Sequence, residues 1–170
     1  MTLRLILMRH AKSDWDDPLL PDHARPLNDR GRASAPAMGG WLKARGYRPD
    51  LALVSDATRT RETFAGLGLD CPVRFLPELY HAGAARMLDV LQDAGDAPTV
   101  LMLGHNPGIA ECAERLVAKP PAHPRFYDYP TCATLVADFD LPDWSGVRFG
   151  TGHAVDFAIP REVLGGQAGI

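Results

Sequence analysis

The sequence predicts an α/β fold of three layers, in which helices cover both faces of a mostly parallel central sheet. Apolar runs of strand length alternate along the chain with helical stretches of about 10 to 15 residues, an order that is typical of βαβ units. The runs contain few polar residues, as expected of buried strands. Side chains at the carboxyl ends of such strands form the ligand-binding crevice in folds of this class.

The first strand and the first helix are separated by a long polar loop. Residues 3–8 (LRLILM) are apolar apart from Arg4 and predict a buried strand, and the proline-containing segment 14–28 predicts the loop. A helix is expected from about residue 29 to residue 45, because apolar side chains recur there at helical spacing. Pro36 and the pair Gly39 and Gly40 weaken this helix, and Gly46 is placed to end it.

The rest of the chain continues the alternation. Residues 51–55 (LALVS) and 99–104 (TVLMLG) predict short buried strands, and the second is the clearest strand of the chain. Met87, Leu88 and Leu91 lie on one face of a helix expected within 83–95. The other expected elements are helices at 58–68 and 106–118, a strand at 73–76 that leads into a loop, and two late strands near the sheet edge, 132–141 and 153–159.

The composition fits a single domain that spans residues 1–170 and has an ordinary hydrophobic core. The formal net charge of −3 and the isoelectric point near 6.0 argue against nucleic-acid binding, which requires a strongly basic surface. We expect no membrane segment and no signal peptide, because no apolar stretch approaches ~20 residues and the first strand begins at once. Cys71, Cys112 and Cys132 match no metal-binding pattern and predict reduced thiols in a cytoplasmic protein.

Polar side chains follow four of the predicted strands at their carboxyl ends. In a parallel sheet these ends meet at one edge, so the side chains would share one crevice. In chain order they are Arg9 and His10, Arg59 and Arg61, Glu78, and His105 with Asn106. Only one of the two arginines at the start of the helix can face the crevice, and we expect Arg59 inside and Arg61 in solvent. The remaining histidines are expected to be surface or structural residues: His23, His81, His123 and His153.

Together, these residue types suit phosphoryl transfer. Arginine offers a planar pair of donors that stays charged and matches two phosphate oxygens. A neutral imidazole can attack phosphorus and form a labile phosphoramidate. A second histidine, kept protonated by the phosphate charge, would donate hydrogen bonds to the phosphoryl oxygens. If the arginines supply the positive charge, the reaction needs no metal ion and no other cofactor.

The motifs resemble the histidine phosphatase superfamily and, within it, the small SixA-type phosphohistidine phosphatases. The matching segments are LILMRHAKSDW, RPLNDRGR, DLALVSDATRTRETF, PELYHAG and VLMLGHNPGIAECAERL, which spread from residue 3 to about residue 116. MRHAKS and GHNPG in this order, with SDATRTRET between them, form a specific combination. Ala11 stands where the usual signature has a glycine, as in SixA-type members. The resemblance implies a phosphoglycerate-mutase-like fold.

The resemblance also implies a role for each matching residue. His10 is similar to the histidine that becomes phosphorylated, and Arg9 and Arg59 are similar to the arginines that bind the phosphoryl group. His105 matches the second histidine of the pocket. The residues expected to help bind the substrate are Arg25, Ser13 and Asn106.

The proton donor and the substrate stay open at this point. Glu78 is the nearest carboxylate at a strand end, although SixA-type proteins need no strong acid, because the nitrogen of a phosphohistidine departs readily. Residues 81–102 hold one helix and one strand, so no long insertion covers the pocket. We therefore expect a metal-independent phosphatase of protein phosphohistidine. The alternatives are a phosphatase of small phosphoesters and a non-catalytic phosphate-binding module, and the intact His10 favours catalysis.

Overall fold

Six strands form one mixed sheet in the part of the chain that the computed structural model describes, residues 2–165. They are β1 (Thr2–Arg9), β2 (Leu51–Ser55), β3 (Val73–Leu76), β4 (Thr99–Gly104), β5 (Thr134–Asp140) and β6 (His153–Ala158). Their order across the sheet is β3-β2-β4-β1-β5-β6. The first four in this order run parallel, whereas β5 is antiparallel to both β1 and β6. The predicted mostly parallel sheet, with the late strands at its edge, is confirmed.

Helices cover both faces of this sheet. They are α1 (Asp29–Ala44), α2 (Thr58–Leu67), α3 (Ala84–Gln92), α4 (Gly108–Leu116) and α5 (Pro160–Gly165). The helices α1, α2 and α5 pack on one face, and α3 and α4 pack on the other. The three-layer architecture is thus confirmed, and α5 is an element that the sequence pattern did not predict. Within the described range, no helix has both the length and the hydropathy that crossing a bilayer requires.

Both faces of β1 are apolar because this strand lies inside the sheet. Successive side chains of a strand point to opposite faces. Leu5 and Leu7 belong to the core shared with α3 and α4, and Ile6 and Met8 belong to the core shared with α1 and α2. All four side chains are fully buried. The sequence of β1 is apolar at successive positions because its side chains pack into the cores on both faces of the sheet.

The register of the parallel strands brings polar side chains together at one edge of the sheet. Arg9 at the end of β1 pairs with Gly104 at the end of β4, and the N–H of His10 donates to the Gly104 carbonyl at 3.1 Å. The residues that follow this pair, His10 and His105, therefore lie side by side. On the other side of β4, β2 delivers Ser55 and the start of α2 to the same edge.

The helix α1 continues through the proline and the glycines that weakened its prediction. The side chain of Asn28 caps its first turn by accepting a hydrogen bond from the N–H of Gly31 at 2.9 Å. Gly39 faces α2, where an added Cβ would lie 2.0 Å from the carbonyl oxygen of Leu67. Glycine at this position permits the close approach of α1 to α2, the helix that carries Arg59.

Alanine at two adjacent glycines of α1 should change stability in opposite directions. Gly39→Ala should lower the free energy of unfolding by about 1–3 kcal/mol, because the new methyl group must push α1 away from α2. Gly40→Ala should raise it by up to about 1 kcal/mol, because alanine favours a helix and a Cβ at Gly40 meets nothing within 4 Å. Urea unfolding of both variants is the measurement. Effects of the same sign would show that α1 and α2 do not meet at Gly39.

Candidate active site

A cavity of about 250 Å³ opens at the edge where β1, β2 and β4 end. Six residues that the sequence singled out line this cavity: Arg9, His10, Ser13, Arg59, His105 and Asn106. The lining also includes residues that the sequence did not single out as ligand-binding: Lys12, Trp15, Asp22, His81 and Thr131. The structure therefore brings together the expected side chains from the ends of β1 and β4 and from the start of α2, which follows β2.

His10 is held as a neutral ring with one free nitrogen. It is 6% exposed, and its Nδ1 lies 2.6 Å from the carbonyl oxygen of Ala11. A carbonyl oxygen only accepts, so Nδ1 carries the proton and Nε2 keeps its lone pair. Burial, together with the charges of Arg9 and Arg59, lowers the pKa of His10 to about 3. The ring is therefore neutral near pH 7 and suited to act as a nucleophile.

The main chain after His10 is fixed by contacts with α2. The N–H of Ala11 donates to the hydroxyl of Thr63 at 3.0 Å, and this hydroxyl donates to the carbonyl of Arg59 at 2.7 Å. Ala11 is fully buried and is not among the residues of positive φ, so the usual glycine is not needed for its backbone conformation. These bonds join the loop of the nucleophile to the helix that carries Arg59.

His105 lies next to His10, with 5.3 Å between the ring centroids. Its Nε2 lies 2.7 Å from the Oγ of Ser55 at the end of β2. Burial and the neighbouring His10 and Arg59 lower the pKa of His105 to about 3. The protein's own groups thus favour a neutral ring. The predicted protonation of His105 depends on the negative charge that a phosphoryl group would bring.

Two guanidinium groups, that of the buried Arg59 and that of the half-buried Arg9, supply positive charge to the cavity. Arg59 is 5% exposed, and it donates to the main-chain carbonyl and to the carboxylate of Asp22 at 2.7 and 3.1 Å. Arg9 donates through Nη1 to the carbonyl of Tyr129 at 3.2 Å. Burial and the nearby Arg59 lower the pKa of Arg9, yet an arginine stays charged at neutral pH. The two groups form a site that favours an anion.

The three residues expected to bind substrate differ in their positions. Ser13 is buried and accepts a hydrogen bond from the indole N–H of Trp15 at 2.9 Å. Asn106 donates through Nδ2 to the two main-chain carbonyls of residues 128 and 129. The guanidinium of Arg25 lies 4.1 Å from the ring centre of Trp15, and Arg25 is not among the residues that line the cavity. Arg25 therefore supports the wall of the cavity through Trp15.

The structure does not bring Glu78 into the cavity, which corrects its expected position as proton donor. A short 3₁₀ turn, Pro77–Leu79, follows β3, and it buries Leu79 and leaves Glu78 exposed. Leu79, its neighbour, packs into the core, and Glu78 is not among the residues that line the cavity. Arg61, by contrast, is exposed as predicted, and its guanidinium lies 4.1 Å from the ring centre of Phe75.

Sequence reasoning missed the side of the cavity that Asp22 and His81 form. Asp22 lies in a 3₁₀ turn, Asp22–Ala24, and accepts hydrogen bonds from Arg59 and from the hydroxyl of Tyr80. Burial raises the pKa of the Asp22 carboxyl, but these two donors outweigh burial and the pKa is lowered. His81 is exposed, as predicted, but it also lines the cavity beside Asp22, which the sequence did not predict. The signal was present in PELYHAG, because the loop after β3 also lies at this edge. The histidines that do not line the cavity are His23, His123 and His153.

The cysteines are free thiols, as the sequence predicted. Burial raises the pKa of Cys112 and of Cys132 to about 12. Among residues 2–165, no group of three or more His, Cys, Asp and Glu side chains is placed to hold a metal ion. The positive charge that these residues offer at the cavity comes from Arg9, Arg59 and Lys12.

Comparison with known proteins assigns this geometry to a family. Residues 5–82 match the model of the histidine phosphatase superfamily, branch 1. An uncharacterized protein of Mycobacterium tuberculosis is 34% identical in an alignment that covers 91% of this chain and 100% of that protein. The chain belongs to the histidine phosphatase superfamily.

Two solved structures place this histidine phosphatase among the SixA-type members. A protein of Nakamurella multipartitia that is named as a phosphohistidine phosphatase SixA is 28% identical to this chain. The two structures superpose with a TM-score of 0.82 over 94% of this chain and 97% of that protein. A protein of Agrobacterium tumefaciens with the same assignment is 27% identical with a TM-score of 0.77, covering 93% of this chain and 99% of its own. The phosphoglycerate-mutase-like fold and the phosphatase activity expected from the motifs are thus confirmed.

Lysine at Arg59 should damage the phosphatase far more than lysine at Arg61. Lysine keeps the charge but cannot present the planar pair of donors that matches two phosphoryl oxygens. We expect kcat/KM for an aryl phosphate to fall about 100-fold or more in Arg59→Lys. Arg61→Lys should change it little, because that side chain is exposed. Inhibition by vanadate should weaken in the first variant alone. A larger loss in Arg61→Lys would mean that α2 presents its other face to the substrate.

Stability should fall as the pH drops below about 6.5, because two buried histidines resist protonation. An imidazole in the unfolded chain has a pKa near 6.5, whereas the pKa of His10 and of His105 is about 3 in the folded protein. Below pH 6.5 the unfolded state binds more protons, so acid favours unfolding until the pH reaches about 3. We expect each ring to lower the free energy of unfolding by about 1–2 kcal/mol between about pH 7 and about pH 5.

Urea unfolding at several pH values measures this dependence. His10→Gln and His105→Gln should each flatten it, because each removes one buried ring. His153→Gln is the control, since that side chain is exposed and lies outside the cavity. The same slope in the parent protein and all three variants would show that the buried rings do not stay neutral.

Proposed function

We propose that this SixA-type phosphatase removes the phosphoryl group from phosphohistidine on a protein, through a phosphorylated His10 and without a metal ion. The observation that carries the proposal is the geometry of His10. Its Nδ1 is hydrogen-bonded to the Ala11 carbonyl, so its Nε2 is unprotonated. The ring lies in a cavity that Arg9, Arg59 and His105 also line. The free thiols support a cytoplasmic location.

The reaction proceeds in two displacements at phosphorus. In the first, Nε2 of His10 attacks phosphorus and the bond to the leaving group breaks. Arg9 and Arg59 hold the phosphoryl oxygens and stabilise the charge that spreads over them in the transition state. His105, once the phosphoryl charge favours its protonation, donates to the same oxygens. In the second displacement, water attacks the phosphohistidine and releases phosphate.

Buried nitrogen atoms at the cavity support an anionic ligand. Within residues 2–165, the buried side-chain nitrogens without a hydrogen-bond partner are Nε of Arg9, Nε of Arg25 and Nδ1 of His105. Arg9 and His105 both line the cavity. A buried polar atom without a partner costs about 1–3 kcal/mol. Phosphoryl oxygens are strong acceptors, which suits them to these side chains.

The leaving group and the shape of the cavity support a phosphorylated protein as the substrate. The nitrogen of phosphohistidine departs more readily than an alkoxide, so a site without Glu78 in contact is sufficient for it. Trp15 lines the cavity and is 57% exposed, which leaves a flat aromatic surface beside the phosphoryl site. Exposed indoles of this kind serve as anchors in protein interfaces.

A basic groove that continues from the cavity also supports a protein substrate. Lys12 and Thr131 line both the cavity and a neighbouring groove of about 170 Å³, which Arg30, Arg125 and Arg161 line as well. Lys12, Arg30 and Arg161 form no ion pair in the part of the chain that the structure describes, and the lining contains no acidic residue. Such a surface attracts an acidic partner. The groove therefore favours a phosphorylated residue that lies among acidic side chains.

A phosphorylated intermediate should form on His10. A synthetic peptide that carries a radiolabelled phosphohistidine, mixed with protein pretreated with a chelator, should transfer the label to the wild-type protein and not to His10→Ala. The bound label should be labile in acid and stable in alkali, as a phosphoramidate is. His10→Ala should still unfold cooperatively on heating, because a side chain at a strand end contributes little to the core.

The relative turnover of different substrates, together with the label transfer, separates the candidate functions. Turnover of the phosphohistidine peptide is compared with turnover of phosphoserine and glycerol phosphate. A higher kcat/KM for the peptide supports the proposal, and a higher value for the small phosphoesters contradicts it. Binding without turnover would assign a phosphate-binding module. Loss of label transfer after chelation would show that a metal ion takes part.

A further inference from the structure

A third histidine lines the cavity and has no part in the steps described above. His81 follows Tyr80 in the loop between β3 and α3, and its side chain is 66% exposed. Its backbone has a φ of 58°, in the left-handed region that residues with a side chain adopt at a cost. Strained backbone of this kind gathers at functional sites, where the surrounding structure enforces it.

Asp22 lies close enough to His81 to orient its ring. The Oδ2 of Asp22 is 3.8 Å from the Nε2 of His81, and the ring of Tyr80 packs against the imidazole with 3.9 Å between centroids. The same carboxylate accepts hydrogen bonds from Arg59 and Tyr80, which keep it negative at neutral pH. The carboxylate is thus a negative partner at ion-pair distance from the imidazole of His81.

The charged and titratable groups that face His81 come from every element around it. They are Asp22 from the loop before α1, Arg59 from α2, Tyr80 from its own loop, His105 after β4, and Glu111 from α4. Glu111 and His81 together line a smaller neighbouring cavity, which His105 and Asn106 also line. Asp22 is the group at ion-pair distance from His81.

We propose that His81, oriented by Asp22, donates and accepts the proton of the reaction, an inference that rests on the proposed function. In the first displacement, the electron pair of the breaking bond goes to the leaving atom, which takes a proton from the imidazolium of His81. In the second, the attacking water gives a proton to the neutral His81, and the phosphorus–nitrogen bond breaks with its electron pair returning to His10. The products are the dephosphorylated group and phosphate, and His81 ends the cycle protonated.

The other two histidines of the cavity and its carboxylate are unsuited to this role. His10 is the nucleophile, and its Nδ1 proton is bonded to a carbonyl. His105 is engaged with Ser55, and any proton that it takes up is held by the phosphoryl charge. Asp22 is kept ionised by its two donors and has no proton to give. His81 is exposed to water, so its imidazole can exchange a proton with solvent between turnovers.

His81→Asn tests the proposal, because asparagine tolerates the left-handed backbone but cannot exchange a proton. The substrates are p-nitrophenyl phosphate, whose leaving group departs without help, and phenyl phosphate, whose leaving group needs a proton. We expect kcat/KM, which reports the first displacement alone, to fall about 100-fold or more for phenyl phosphate and to change much less for p-nitrophenyl phosphate. His23→Asn is the matched control. His23 also contacts an aspartate, Asp56 at 2.9 Å, and packs on Tyr80, but it does not line the cavity.

The dependence on the leaving group separates proton transfer from a structural role. Equal losses of kcat/KM on the two phosphates, or no loss on either, would overturn the proposal. If His81→Asn has a lowered thermal midpoint, His81→Gln repeats the comparison with a longer amide. Failure of the proposed function is recognised separately, because the wild-type protein would then form no phosphohistidine at His10 from either phosphate.

Discussion

The parallel pairing of β1 with β4 is the contact on which the active site depends. Because Arg9 pairs with Gly104, the residues that follow in the two strands emerge side by side, and the rings of His10 and His105 come to 5.3 Å. A slip of one residue would turn one of these rings to the other face of the sheet. The register is held by apolar side chains of β1 that fill the cores on both faces. The packing of the core therefore determines the geometry of catalysis.

The guanidinium groups of the cavity affect the pKa values of the two imidazoles and of each other. The charges of Arg9 and Arg59 add to burial in keeping His10 neutral, and Arg59 likewise acts on His105. The two guanidinium groups also repel each other, since Arg59 lowers the pKa of Arg9. Such interactions are strong because the side chains of His10, Arg59 and His105 are buried. The negative charge of a bound phosphoryl group would relieve this repulsion. The same charge would favour protonation of His105, so substrate binding and the protonation of His105 have one electrostatic cause.

The fold and the inner part of the site could be predicted because both follow from local patterns. The apolar runs gave the bounds of β1, β2 and β4 to within one residue, and the motifs at their ends supplied four cavity residues: Arg9, His10, Arg59 and His105. The strand order and register depend on contacts between distant segments, which no local pattern contains. Glu78 lies outside the cavity, contrary to expectation, because Leu79 is the side chain of the turn Pro77–Leu79 that packs into the core, and no local pattern predicts which of them does. Asp22 and His81 were missed because tertiary contacts, such as the bond from Tyr80 to Asp22, bring their loops to the cavity.

Asp22 links the phosphate-binding side of the cavity to the side where a leaving group is protonated. Its carboxylate accepts from Arg59, so a phosphoryl group must compete with it for that guanidinium. The main-chain carbonyl of Asp22 accepts from the same arginine at 2.7 Å, and this second bond holds Arg59 in place during the exchange. A carboxylate released from Arg59 still lies next to Tyr80 and His81. Asp22 thus connects the arginine that would bind the phosphoryl group with the imidazole proposed to face the leaving group, so loss of this carboxylate would affect both sides of the cavity.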